Sequence, residues 1–147
     1  MLDIEVNDQQ SILEVDTSRL ERAVTCVLTG EGVSSASISL AVVDDEVMRK
    51  LNRRHLQHDY ATDVLSFLLE DEEDGVEGEV IVSAETAVRQ APHYGWDPAS
   101  ELLLYVVHGV LHLLGYDDHE PHAVELMRRK EDVYLAELGC PRAQMRG

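Results

Sequence analysis

The chain has few cysteines, no long apolar run and few aromatic side chains. Its two cysteines, Cys26 and Cys140, lie far apart and form no CxxC pair, which argues against a disulfide framework or a cysteine-based zinc site. The longest apolar run, residues 102–107, is far shorter than the roughly 20 residues of a membrane-spanning helix. The N-terminus has neither a basic start nor an apolar core, so we expect no secretory signal peptide.

Positive charge is also scarce, because 12 Lys and Arg face 29 Asp and Glu, giving a net charge of -17. This balance argues against wide contact with a phosphate backbone, although a cleft can carry its own local charge. The basic residues are grouped at 49–54 and 128–130, and the simplest interpretation is that both groups are solvated helix faces.

Hydrophobic periodicity predicts an alternation of strands and helices. Ser18 and Glu21 resemble a capping box that opens the first helix, and Asp97 with Pro98 predicts the start of a long one. The acidic run at residues 70–79 predicts a loop. The predicted strands cover residues 2–6, 37–43, 63–69 and 80–83, and the predicted helices begin near residues 18, 45, 84, 98 and 121.

The order of these elements predicts an α+β fold. Two early strand-helix-strand steps favour parallel pairing, and the strand-strand step that follows permits a hairpin. We therefore expect a small mixed four-stranded sheet packed with about five helices. With no internal repeat and no linker, residues 1–147 are expected to form a single domain.

The most informative segment is LLLYVVHGVLHLLGYDDHE, residues 102–120. An almost wholly apolar helix is a buried one, and this helix carries His108 and His112 one turn apart. Residues at that spacing have Cβ atoms roughly 5–6 Å apart, so both imidazoles can reach one cation at about 2.0–2.1 Å. A third donor beyond the glycine turn would complete a three-ligand site with an open position, as in catalytic zinc sites. The prediction is a zinc site at the end of a buried helix.

Two other interpretations of the histidines have to be weighed. Each could be a core residue bonded to a neighbour, since an unpartnered buried polar group costs about 1–3 kcal/mol. The spacing is also similar to HExxHxxGxxH of the metzincin proteases, but Gly109 stands where those proteases carry the general-base glutamate. Peptide hydrolysis by the usual metzincin route is therefore not expected.

Three blocks of the sequence together resemble the YbeY-type endoribonucleases, which are bacterial ribosomal RNA maturation factors. HGVLHLLGYDDHE, from residue 108, resembles the family signature HGxLHLxGYDH. LN at 51–52 with ATDVLSF at 61–67 resembles a second block, and GEVIVS at 78–83 with QA at 90–91 resembles a third. The blocks occur in the family's order.

The resemblance covers residues 38–139 and implies both fold and function. It implies an α+β fold with one Zn²⁺ per chain, held by three ligands at the mouth of a cleft. It also implies a single-strand-specific endoribonuclease that acts in small-subunit rRNA 3′-end maturation and ribosome quality control. The implied partners are single-stranded rRNA and the small ribosomal subunit with its proteins, in the cytoplasm and without a membrane.

The third metal ligand is one point where the chain departs from the family pattern. The family's third histidine stands six residues after the second, and here that position is Asp118, with His119 one residue later. Both side chains are competent zinc ligands, so the predicted set is His108, His112 and either Asp118 or His119. Asp117 is a candidate partner that orients a ligand imidazole, or simply a turn residue.

The RNA-facing charge is a second departure. Leu56 stands where the family usually has an arginine, four residues after the asparagine of the LN pair. We expect Arg53, Arg54 or His58 to supply substrate-binding charge instead. Polar residues of the ATDVLSF block, Thr62, Asp63 and Ser66, are predicted either to line the cleft or to make hydrogen bonds within the strand.

Two alternative functions use the same residues. One is a zinc hydrolase of an amide or ester substrate, and the other is a non-catalytic ribosome-assembly factor whose metal stiffens the helix junction. The charge of -17 suits docking on a protein or a small basic patch, which favours the second alternative.

The paired histidines predict the metal content of two variants. His108→Ala and His112→Ala should each lose stoichiometric zinc, because one imidazole and one further donor make too weak a site. Elemental analysis of the purified proteins measures this directly. Wild-type zinc content in either variant would contradict the predicted site.

Overall fold

A computed structural model describes residues 1–56, 62–72, 75–116 and 119–141. The described residues form four strands and five α-helices, as expected, with a 3₁₀ helix, Ala91–Tyr94, before the fourth α-helix. In chain order the elements are β1 (Leu2–Asp8), α1 (Thr17–Gly30), β2 (Ala36–Val43), α2 (Asp45–Leu56), β3 (Val64–Glu72), β4 (Gly75–Ser83), α3 (Ala84–Gln90), α4 (Pro98–Leu113) and α5 (Pro121–Glu137).

The sheet is mixed, with strand order β1-β2-β4-β3, which confirms the predicted α+β class. β1 pairs with β2 in parallel, as the first strand-helix-strand step predicts, and β2 pairs with β4 in parallel. The expected parallel pairing of the second step is wrong, because β4 lies between β2 and β3 and runs antiparallel to β3. β4 is buried from Val80 to Ser83, whereas β3 exposes Leu68 and Leu69. A strand that is apolar on both faces takes the interior position, and the more polar strand takes the edge.

The acidic run at residues 70–79 is the second wrong prediction, because most of it belongs to a hairpin rather than a loop. Glu70 pairs with Glu77 and Asp71 with Val76, after a register shift between Leu68 and Glu70. Backbone pairing does not require apolar side chains where a strand lies at the sheet edge, and Glu70, Asp71 and Glu77 are exposed there.

Aspartates are the N-caps of α1 and α4, and sequence reasoning missed the first of them. The N-cap of α1 is Asp16, whose carboxylate accepts hydrogen bonds from the backbone N–H groups of Ser18 and Arg19 at 3.0 and 3.3 Å. The predicted capping box of Ser18 and Glu21 is therefore wrong, since a carboxylate two residues earlier already satisfies those donors. For α4 the prediction is confirmed, with Asp97 as N-cap accepting from the N–H of Ser100 at 2.8 Å.

α4 is the central helix and lies unusually close to the sheet at one glycine. Nearly all of its residues from Glu101 onward are buried in the main core, while α2 covers a smaller cluster on another part of the sheet. A Cβ atom on Gly109 would lie 2.6 Å from Cγ1 of Val80 and 2.9 Å from Cγ2 of Val64. The hydroxyl of Ser66 donates to the carbonyl of Gly109 at 2.8 Å. The glycine therefore brings the helix backbone within hydrogen-bonding distance of β3.

This close approach predicts that Gly109→Ala destabilises the fold. Helix propensity alone would favour alanine by about 1 kcal/mol, but inserting a methyl group into a packed core costs about 1–3 kcal/mol. We expect a lower free energy of unfolding by urea denaturation, and a smaller loss when the same change is made in a Val80→Ala background. A stabilised Gly109→Ala protein would contradict the packing.

Candidate metal centre

The rings of His108 and His112 lie next to each other in the wall of a cleft. Their centroids are 4.6 Å apart and their planes meet at 76°, so the rings touch edge to face. The cleft has a volume of about 680 Å³ and lies between β3, α2 and the end of α4. Both imidazoles are thus neighbours on one wall of an open cavity, as their spacing predicts.

Glu131, a residue of α5, contacts the Nδ1 edge of the His108 ring. Nδ1 of His108 lies 2.5 Å from Oε2 of Glu131, whose side chain is only 5% exposed. Which atom donates in this contact depends on the tautomer of the ring. An ionised carboxylate can only accept, and its partner is then the tautomer with hydrogen on Nδ1 and the lone pair on Nε2.

Sequence reasoning missed Glu131, although the sequence carries a signal for it. The residue is buried on the same stripe of α5 as Met127, Tyr134 and Leu135. A carboxylate at an apolar position of an amphipathic helix calls for a partner in the core. The sequence does not say which one, because the partner lies on another helix.

The third-ligand candidates are only partly described. Asp117 and Asp118 lie outside the described residues, whereas His119 is exposed and lines the same cleft as the two helical histidines. Within the described ranges, no group of three His, Cys, Asp or Glu side chains is arranged to hold a metal ion. The choice between Asp118 and His119 stays a prediction.

The predicted substrate-binding residues do not all reach the cleft. Arg53 and Arg54 are exposed near the end of α2, and neither belongs to the described lining of the cleft. His58 lies outside the described residues. Asn52, which sequence reasoning used only as part of a motif, is 1% exposed and does line the cleft. Leu56 is the last residue of α2.

Residues of the ATDVLSF block line the cleft and also make local hydrogen bonds. Thr62, Asp63 and Ser66 are all part of its wall. The carboxylate of Asp63 accepts from the N–H of Val64 at 2.8 Å, and Ser66 is bound to the carbonyl of Gly109. Asp63 thus lines the cleft and also makes a local hydrogen bond at the start of β3, whereas Ser66 lines the cleft and bonds to α4 rather than within the strand.

The donor chemistry of the described residues fits a zinc ion. Two imidazoles in contact, one of them with a carboxylate behind its other nitrogen, are typical of zinc ligation in proteins. Gly109, between the two histidines, has no room for a side chain next to Val80 and Val64. A glutamate on this helix at the metzincin position is thus excluded by packing.

Comparison with known proteins identifies the family of this chain. A profile of the family described as Endoribonuclease YbeY matches residues 4–139. The chain belongs to the YbeY endoribonuclease family. The protein named Endoribonuclease YbeY of Carboxydothermus hydrogenoformans is 41% identical over 142 residues, which is 94% of this chain and 99% of that protein. Its namesake in Salinibacter ruber is 41% identical over 130 residues, covering 83% of each chain.

The fold of this YbeY family member is also found in a solved structure. The solution structure of a Thermotoga maritima protein superposes with a TM-score of 0.63 at 22% identity, covering 99% of this chain and 100% of that one. The predicted family and the predicted α+β fold are both confirmed. In the part of the chain that the structure describes, no helix is long and apolar enough to cross a membrane.

A second, partly buried cluster in this YbeY family chain anchors Tyr116, three residues after the end of α4. Tyr116 comes directly after the left-handed Gly115, and its hydroxyl donates to the carboxylate of Glu31. Tyr134 donates to the same carboxylate, and Nζ of Lys130 lies 3.1 Å from it. Tyr116 begins the segment that leads to the third-ligand candidates. It is therefore connected to α5 through Glu31, the residue after α1.

These bonds set the ionisation of Glu31. Burial by itself raises the pKa of this carboxyl, but the hydrogen bonds from Tyr116, Tyr134 and Lys130 outweigh burial and hold the pKa below its ordinary value. The Glu31 carboxylate in turn raises the pKa of Lys130. The cluster is thus most stable with Glu31 ionised.

The lowered pKa predicts how Glu31→Gln depends on pH. A carboxyl whose pKa is depressed by folding stabilises the protein above its unfolded pKa of about 4.3, and this contribution is lost as pH falls through the folded value. Glu31→Gln should cost about 1–3 kcal/mol at pH 7, and the difference from wild type should shrink below about pH 4. Urea unfolding at several pH values measures this.

Glu21→Gln, at an exposed position of α1, is the matched control and should change little at any pH. A Glu31→Gln deficit that stayed constant down to acid pH would contradict the electrostatic role of the cluster.

Proposed function

We propose that this protein is a zinc-dependent, single-strand-specific endoribonuclease that acts in 3′-end maturation of small-subunit rRNA and in ribosome quality control. The proposal includes a cytoplasmic location and the small ribosomal subunit with its proteins as partners. The observation that carries it is the pair of touching imidazoles in an open cleft, with Glu131 bonded to Nδ1 of His108. Membership of the YbeY endoribonuclease family supports the nuclease activity.

His108, His112 and either Asp118 or His119 would hold one zinc ion per chain. When bound, zinc acts as a Lewis acid that stabilises negative charge on a phosphoryl oxygen and lowers the pKa of water. The chain's own contribution is to fix the imidazoles and to leave the cleft wall open to a substrate. Asp117 is the candidate that orients a ligand ring from the turn.

The charge of the chain limits how RNA can bind. At -17 the protein repels an extended phosphate backbone, so we propose a short contact within the cleft rather than a long basic track. Asn52 and Thr62 offer polar groups on the cleft wall. Arg53, Arg54 or His58 is proposed to supply local positive charge for the substrate.

Activity on RNA is tested by substrate panels on the zinc-loaded protein. We expect cleavage of labelled single-stranded RNA, little cleavage of the same sequence in a duplex, and no cleavage of peptides or small esters. A chelator should abolish the cleavage and added zinc should restore it, while His112→Ala should lower the rate at least about 100-fold. Hydrolysis of a peptide or an ester without RNA cleavage would contradict the proposal and favour the amide or ester hydrolase.

The non-catalytic assembly factor remains a second candidate because the acidic surface suits docking on a basic protein. The two functions differ in cells that carry a His112→Ala variant with restored stability. An endoribonuclease predicts that 3′ precursors of small-subunit rRNA accumulate. Normal processing with this variant would favour the assembly factor.

A further inference from the structure

We infer that Glu131 is a positioning residue of the metal site, which fixes the tautomer and orientation of His108 and thereby strengthens metal binding. The inference rests on the proposed metal role of His108 and His112. It adds to that role a function for Glu131, whose carboxylate on α5 contacts Nδ1 of His108.

The contact joins a ring nitrogen and a carboxylate oxygen at hydrogen-bonding distance. The 2.5 Å between Nδ1 of His108 and Oε2 of Glu131 joins residues on two different helices, 23 positions apart in the chain. The His108 side chain is 23% exposed and that of Glu131 only 5%. The ring therefore has one edge against a buried carboxylate and another on the cleft wall.

Packing alone does not explain a carboxylate at this position. The other buried residues of α5 are Met127, Tyr134 and Leu135, so an apolar side chain would suit the stripe. Burying a carboxylate costs more than burying an isosteric apolar group, even when the carboxylate is paired. What the carboxylate adds over an apolar side chain at this position is its contact with Nδ1 of His108.

That role follows from what the hydrogen bond does to the imidazole. A carboxylate that accepts from Nδ1 holds the lone pair on Nε2, limits rotation of the ring and raises the basicity of Nε2. Each of these effects favours binding of a divalent cation. Loss of such a partner typically weakens metal binding about 10–100-fold.

The first test compares the metal affinity of wild type and Glu131→Gln in competition with a chromophoric chelator. The amide keeps the size of the side chain but loses the charge, so we expect zinc and cobalt(II) to bind about 10–100-fold more weakly. The visible absorption of the cobalt(II)-loaded protein should also change, because the ligand field reports on the His108 imidazole. Affinity equal to wild type would overturn the inference.

Glu101→Gln is the matched control. Glu101 is 1% exposed, lies on α4 and accepts from Nε1 of Trp96 at 2.7 Å, so the change also removes a buried charge. We expect Glu101→Gln to lower thermal stability but leave metal affinity unchanged. Equal loss of affinity in both glutamine variants would show a merely structural effect and would overturn the inference.

Two further measurements separate this inference from the proposed function. If His108→Ala loses metal while Glu131→Gln does not, the metal site survives and the role of Glu131 fails; if neither loses metal, the metal site itself fails. A long-range ¹H–¹⁵N spectrum of the wild-type protein without metal needs no variant. It should show His108 with hydrogen on Nδ1, and a neutral ring with hydrogen on Nε2 would overturn the inference.

Discussion

The close packing of α4 against the sheet is the constraint on which the rest of the structure depends. An apolar helix has to be covered on nearly every side, and here β3 and β4 cover one side while α1, α3 and α5 cover others. Gly109 allows a close approach, and the bond from Ser66 to its carbonyl connects helix and strand. Because His108 and His112 flank this contact, their backbone positions are fixed by the core itself.

α5 adds the support that α4 cannot provide for itself. Its buried stripe brings Glu131 to His108, and the same helix brings Lys130 and Tyr134 to Glu31. The Glu31 carboxylate also accepts a hydrogen bond from Tyr116, directly beyond the turn that ends α4. One helix thus supports the first histidine and the beginning of the segment proposed to deliver the third ligand. Preorganisation of this kind lowers the entropy lost when a ligand binds.

Most of the fold could be predicted, and the errors have definite causes. Each predicted strand and α-helix is present, since hydrophobic periodicity reports which side of an element is buried. The position of β4 between β2 and β3 was missed because periodicity does not state which strands are neighbours. An acidic composition indicates that residues 70–79 are exposed to solvent, and the sequence therefore predicts a loop there. A hairpin at the sheet edge is exposed as well, so composition does not distinguish the two.

The sequence by itself determined the paired histidines and the family, because helical spacing and the order of three motifs are local properties of the chain. Only the tertiary structure decided that Glu131 lies behind His108, that Asn52 lines the cleft and that Arg53 and Arg54 lie outside its described lining. These contacts join elements distant in the sequence. They depend on how helices pack, which no periodicity along one helix can specify.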